Sequence, residues 1–193
     1  MKKYNLVDLF CGAGGLSLGF TQTGRFQISG AIDHWDYAIE TFRHNHPSVP
    51  KEAIFYKDAN FLNSSDFDEL LKRYWESNGP VDVVVGGPPC QGLSLAGKRL
   101  ANDERNHLFQ AFVTAVGKLR PSVFVMENVP GLLSMQGGLL NQAIINAFKA
   151  IGYSSFIDHQ PTILKAEHYG VPQLRRRLFY VGFAIDSISS KFQ

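Results

Sequence analysis

Short apolar runs alternate with amphipathic stretches along most of this chain, and the alternation predicts its elements. Strands are expected over residues 4–10, 26–32, 54–56, 81–85 and 123–127. Helices are expected over 16–23, 36–45, 67–75, 108–119 and 139–151, the last closed by Gly152 as a C-terminal cap. Two further strands, near 155–162 and 177–183, can pair antiparallel. Strand–helix alternation of this kind implies an α/β fold, a doubly wound and mostly parallel sheet with an antiparallel final strand. Ligands of such sheets sit beyond the C-terminal strand ends, at the point where strand order reverses. Phe10, Asp33, Asp58, Cys90 and Glu127 all fall at or just after predicted strand ends.

Composition narrows the picture without changing it. With 193 residues, 45% hydrophobic and 19% charged, the chain suits one globular domain with a sizeable core. A net charge of +2 means that any nucleic-acid surface must be a local patch. Two cysteines, Cys11 and Cys90, show no paired spacing suggestive of zinc or a disulfide framework, so no metal is expected and a reducing, cytoplasmic setting is favoured. Neither a signal peptide nor a membrane span is evident.

The most informative stretch is Asp82-Val83-Val84-Val85-Gly86-Gly87-Pro88-Pro89-Cys90-Gln91-Gly92-Leu93-Ser94. Its branched apolar run fits a strand covered on both faces. Two glycines permit close backbone approach, and two prolines then fix the chain's direction. A thiol on such a rigid exit is well placed as a nucleophile; an ordinary buried cysteine is the other reading. Earlier, Asp8-Leu9-Phe10-Cys11-Gly12-Ala13-Gly14-Gly15-Leu16-Ser17 forms a glycine-rich turn between the first strand and helix. About twenty residues on, Asp33 ends the second strand, where a carboxylate can grip ribose hydroxyls. The glycine spacing does not meet the dinucleotide fingerprint and no Walker-type lysine follows, which suits a phosphate-free adenosyl cofactor such as S-adenosylmethionine.

Gly87-Pro88-Pro89-Cys90-Gln91-Gly92-Leu93-Ser94 resembles the catalytic motif of the cytosine-5 DNA methyltransferases of bacterial restriction-modification systems. The resemblance runs from Asp8 to Phe183, with the motifs in the family's order, and implies a Rossmann-like adenosylmethionine-dependent methyltransferase fold. Phe10-x-Gly12-x-Gly14-Gly15 is similar to the family's first motif. Its loop, with Cys11, Ala13 and Leu16, would cradle the methionine part while Phe10 packs by the adenine. Asp33 stands where the family more often has a ribose-binding glutamate, and His34 where an adenine-flanking aromatic is found. Asp58, followed by Ala59, matches the acid that receives the adenine amino group; Leu108 matches an apolar wall of that pocket, and Pro89 borders it.

For the chemistry, the resemblance implies that Cys90 adds to C6 of a flipped cytosine, since C5 is not nucleophilic enough unaided. Met126-Glu127-Asn128-Val129-Pro130 resembles the Glu-Asn-Val motif whose glutamate contacts N3. A carboxyl in an enclosed base pocket can be shifted to donate a proton near neutrality. Gln173-Leu174-Arg175-Arg176-Arg177 is similar to the Gln-x-Arg-x-Arg motif, implying Arg177 at cytosine O2 and Arg175 holding the active site and its phosphate. Gln91, Ser94, Arg105 and Gln173 are the implied contacts to double-stranded DNA, with the polar 91–106 span as a closing loop.

Family members normally continue into a target-recognition region and two further conserved segments. Residues 1–193 are therefore expected to be a catalytic domain without them, binding adenosylmethionine weakly alone, with a second polypeptide as a candidate source of target recognition. The implied location is the bacterial cytoplasm, on nucleoid DNA. Three rivals remain: a tRNA cytosine-5 methyltransferase, a hydrolase pairing Cys90 with His107 or His168, and a non-catalytic partner keeping the fold as scaffold.

Overall fold

A computed structural model describes residues 2–75, 78–89, 107–155 and 161–185. Strands β1 (Tyr4–Leu9), β2 (Phe26–Asp33), β3 (Ile54–Tyr56), β4 (Val83–Gly86) and β5 (Val123–Asn128) pair in parallel, in the order β3-β2-β1-β4-β5. The chain thus winds outward from β1 through β3, then resumes on the other side of β1 with β4 and β5, and the order reverses between β1 and β4. Val83, Val84 and Val85 are all buried, which explains why β4 reads as a continuous apolar run and not an alternating one.

β8 (Arg176–Ala184) runs antiparallel to β5, and two short strands share its outer edge. β6 (Tyr153–Ser155) pairs with its C-terminal part and β7 (Thr162–Lys165) with its N-terminal part. The single strand expected over 155–162 is therefore corrected to two. Each is only three or four residues long, too short to show a period of its own.

Helices α1 (Gly15–Thr21), α2 (Asp36–Asn45), α3 (Ser65–Leu70), α4 (His107–Leu119) and α5 (Leu139–Ala150) cover the faces. The helix expected over 67–75 begins earlier, because the Ser64 hydroxyl accepts from Phe67 N and caps α3. It then loosens into a π turn over Leu71–Trp75. Between the sheet and α4 and α5 lies an aromatic core. Phe124 stacks on Phe148 at 3.8 Å between ring centroids, with Phe112 and Tyr153 edge-on around them. Gly182, beside Phe124 on the neighbouring strand, leaves the space that this ring fills. Tyr153 is buried with its hydroxyl donating to Pro121 O at 2.7 Å, and burial pushes that phenol up to about 12.

Candidate functional site

In the sheet register Leu9 stands beside both Ile32 and Gly86, and Gly86 beside Met126. The residues that follow these positions therefore emerge together at one edge. A Cβ on Gly86 would run into the Leu9 carbonyl and the Phe112 ring, so only glycine lets β4 lie this close to the end of β1.

Past β1 the chain turns through Phe10 at φ 57° and Gly14 at φ 86°. Phe42 would meet a Gly14 Cβ at 2.8 Å, and the His46 imidazole would overlap it. Among the described residues, Cys11 N–H donates to Ile32 O at 3.1 Å, and three further bonds hold this turn from outside. Gly12 N–H donates to Asp33 Oδ2 at 2.9 Å, Asn45 Nδ2 donates to Ala13 O at 2.8 Å, and His46 Nε2 meets Gly14 O at 3.0 Å. Underneath, the wholly buried Asp8 carboxyl accepts from Ser17 Oγ at 2.6 Å, while its Oδ1 has no partner among the described residues. Burial raises Asp8 to about 7, with the Asp33 charge adding to the effect. The Cys11 thiol is also pushed up by burial, and then by Asp8 and Asp33, so it is inert as a nucleophile.

Asp33 connects the turn to the next element. Besides Gly12 N–H, it accepts from Trp35 N–H at 3.0 Å through Oδ1, and His34 Nδ1 lies 3.4 Å from the same oxygen. A carboxylate offers about four acceptor sites, so Asp33 keeps capacity for hydroxyl donors. It borders a cavity of about 1030 Å³. Of the candidate cofactor residues, Phe10, Asp33, His34, Asp58, Ala59, Pro89 and Leu108 line this space. Cys11, Gly12, Ala13, Gly14, Gly15 and Leu16 do not: they form the turn and first helical residues that fix its inner end. Asp58 also holds its own loop, with Oδ1 accepting from Asn60 N–H and Phe61 N–H at 3.0 and 3.2 Å.

On the other side of the reversal point stands a charged pair. Glu127 Oε1 is 2.7 Å from Arg177 Nε, and each side chain is about a quarter exposed, at 23% and 26%. The pairing follows from the sheet. Glu127 lies directly opposite Phe179 on β8, and Arg177, two residues before, points to the same face as its diagonal neighbour. Gly87 approaches from β4, where an added Cβ would sit 3.2 Å from Glu127 Oε2. Asn128 ties the same junction, its buried Nδ2 donating to Pro88 O at 3.1 Å and its Oδ1 accepting from Val129 N–H. Arg175 and Gln173 are exposed on the approach to β8, where Ala166 N–H donates to Arg175 O. His168 is exposed on the 3-10 turn Ala166–Tyr169.

Cys90, Gln91, Ser94 and Arg105 lie outside the described residues. Sequence reasoning missed Trp35, Asn60 and Ala111 in the cavity wall, and the Asn45, His46 and Asn128 side chains that brace the loops. Asn128 carried a signal, standing beside Glu127 in its motif, and Trp35 and Asn60 follow Asp33 and Asp58 by two residues and donate their N–H groups to them; Asn45 and His46 act through contacts distant in sequence. Among the described residues, no group of His, Cys, Asp and Glu could hold a metal ion, and no helix is long and apolar enough to cross a membrane.

Comparisons with known proteins give the context of this edge. The type II methyltransferase M.AgeI of Thalassovita gelatinovora is 42% identical over 178 residues, covering 92% of this chain and 39% of that protein. A solved structure described as a DNA modification methyltransferase encoded within an E. coli prophage superposes with a TM-score of 0.77 at 32% identity. It covers 97% of this chain and 48% of its own. The Spodoptera frugiperda DNMT2 structure, at a TM-score of 0.70 and 22% identity over 95% of this chain and 50% of that one, shares the fold. The chain thus spans about half, or less, of these relatives. The profile of the C-5 cytosine-specific DNA methylases matches residues 4–193, and the chain belongs to that family.

Proposed function

We propose that this chain is the catalytic part of an enzyme that transfers a methyl group from S-adenosylmethionine to C5 of cytosine in DNA. The observation that carries this reading is an adjacency. At the C-terminal edge of one sheet, a largely apolar cavity is bordered by the Asp33 carboxylate and Pro89, and Gly87 and Pro88, just before, meet Glu127 and Asn128 beside the Glu127–Arg177 pair.

The residues present fit the cofactor. The cavity is at the upper end of the usual size for a small-molecule site, roughly 300–1,000 Å³. Asp33 has acceptor capacity left for ribose hydroxyls, and Phe10, Leu108 and Ala111 offer apolar surface to an adenine. Bound S-adenosylmethionine supplies an electrophilic methyl group on a sulfonium centre. The Cys90 thiolate adds to C6 of a cytosine turned out of the duplex, and the C5–C6 electron pair is drawn toward N3, where Glu127 assists by hydrogen bonding or proton donation. Arg177 holds O2 with the guanidinium donors that its Nε contact to Glu127 and its Nη1 bond to Arg176 O leave available. C5 would take the methyl as the sulfonium's S–CH3 bond breaks and leaves a neutral thioether; water then removes the C5 proton, and the electron pair of that C–H bond expels the Cys90 thiolate to restore the ring. In this reading Arg175 and Gln173, exposed beside β8, would meet the DNA backbone, and Gln91, Ser94 and Arg105 would add further contacts.

The test is transfer of labelled methyl groups to mixed-sequence duplex DNA and, in parallel, to bulk tRNA. It is run with and without the polypeptide encoded immediately downstream. Cys90→Ala is expected to abolish transfer to DNA while S-adenosylhomocysteine still binds. Transfer that survives Cys90→Ala removes the covalent step, and transfer confined to tRNA moves the substrate to RNA.

A further inference from the structure

Alternation along β8 sends its first two residues to opposite faces of the sheet. Arg177 shares a face with Glu127 and pairs with it, whereas Arg176 lies on the other face, with Leu178 and Tyr180. The register sets Lys165 on β7 directly across from Arg176. One step outward, Ala166 N–H donates to Arg175 O at 2.9 Å, so the alternation of an antiparallel ladder makes Lys165 and Arg176 a pair without mutual hydrogen bonds. Such pairs bring side chains closest, with Cα atoms about 4.5 Å apart, and like charges directly opposite one another are destabilising.

Nothing among the described residues neutralises this pair: neither side chain joins an ion pair or a hydrogen bond there. Glu167, the acid nearest in sequence, forms no ion pair with either cation, and its Oε2 is buried without a hydrogen-bond partner among the described residues. Arg176 is exposed and Lys165 half-buried. Residues 165–177 hold four of the chain's 19 Lys and Arg but one of its 17 Asp and Glu. In a chain of net charge +2, that is the local patch a nucleic-acid surface requires. A lysine on a short edge strand also discourages pairing with other chains, but that purpose asks for no second cation across from it. Repulsion kept at an exposed ladder position fits a site completed by an anion from outside.

We propose that Lys165 and Arg176 together hold one phosphate of the DNA backbone, on the face of β8 opposite the one from which Arg177 reaches the base. The inference rests on the functional reading above and adds two residues that it does not use. The Arg176 fork can meet two phosphate oxygens, with the Lys165 ammonium as a point charge beside it. The phosphate offsets the repulsion that the folded chain otherwise carries. Arg177 Nη1 donates to Arg176 O at 2.8 Å, so the base-holding and phosphate-holding arginines share one stretch of fixed backbone. The phosphate contact thereby sets the register of the duplex against the base pocket.

The test follows binding of a labelled mixed-sequence duplex by fluorescence anisotropy between about 50 and about 200 mM salt. It uses the whole chain, alone and with the polypeptide encoded immediately downstream. Replacing both residues, Lys165→Gln with Arg176→Gln, should weaken binding and flatten the plot of log affinity against log salt by about one unit, the share of one phosphate. Arg176→Lys keeps the charge and should retain the parent slope. Arg43 is an exposed cation on α2, and Arg43→Gln should retain that slope as well. At low salt the double variant should melt no lower than the parent, because a repulsion has been removed. An unchanged slope in the double variant, with DNA still bound, overturns the phosphate site and leaves the methyltransferase reading standing. Equal flattening by Arg43→Gln does the same, since the effect is then one of overall charge. A lower melting temperature does so too, since a carboxylate of the chain then already neutralises the pair. A parent that binds no duplex in either form overturns both readings, and binding confined to tRNA overturns the DNA assignment of both.

Discussion

The buried Asp8 should make the stability of this protein fall as pH rises through neutrality. Its carboxyl has an ordinary value of 3.8 and is raised to about 7 in the folded chain, chiefly by desolvation. The folded pKa exceeds the unfolded one, so the stability tied to this proton is complete below about pH 4 and is lost as pH rises toward 7. Between pH 5 and 8 the folded chain keeps the proton over roughly two pH units in which the unfolded chain has released it. At about 1.4 kcal/mol per unit, that lowers stability by roughly 3 kcal/mol. Asp8→Asn removes the titration but keeps a carbonyl to accept from the Ser17 hydroxyl at the other end of the 2.6 Å bond. The amide that replaces the unpartnered Oδ1 adds a cost independent of pH, so the comparison is one of slopes. Urea unfolding of both proteins at half-unit steps should give curves that diverge by about 3 kcal/mol from pH 5 to pH 8, with Asp8→Asn the flatter. Parallel curves over that range would refute the reasoning, because they would mean that the folded chain accommodates an ionised Asp8 beneath its glycine turn.

Two further outcomes follow from the other side of the site. Gly87→Ala puts a methyl group 3.2 Å from Glu127 Oε2, so the carboxylate must give by a few tenths of an ångström; methyl transfer should drop about tenfold while the denaturation midpoint hardly moves, as steady-state kinetics beside thermal unfolding can check. Asn128→Ala leaves the Pro88 carbonyl without its buried donor and should lower stability by about 1–3 kcal/mol, read as a fall in melting temperature and accompanied by slower transfer.

How much of this was legible beforehand depended on where each residue's reason lies. The parallel strands were visible because burial on both faces turns them into apolar runs, as in Val83–Val85. The cavity-lining Phe10, Asp33, Asp58 and Leu108 were found by topology and resemblance, since a doubly wound sheet brings successive strand ends to one edge. What escaped were features set by distant contacts. The grip of Asn45 and His46 on the glycine turn comes from the far end of α2, and nothing in an amphipathic helix pattern marks its last residues as loop braces. β6 and β7 were merged because each owes its existence to a different part of β8.

The antiparallel final strand shows why the two halves of the site depend on each other. Were β8 parallel to its neighbours, the start of the strand would lie at the opposite edge of the sheet, far from the end of β5. Running antiparallel, it delivers Arg176 and Arg177 to the edge where Glu127 and Asn128 end β5. Direction alone is insufficient, because a slip of one residue would turn Arg177 to the other face and leave Glu127 facing a backbone neighbour of the wrong parity. Two pairings oppose such a slip: Glu127 with Phe179 on the inner edge and Leu164 with Arg177 on the outer. The inner register is also enforced by packing, since Gly182 must fall beside Phe124 for that ring to stack on Phe148. The position of a guanidinium at the solvent edge is thus fixed by an aromatic stack in the core. Changes at Gly182 or Phe124 should therefore affect chemistry as well as stability, through the register they share.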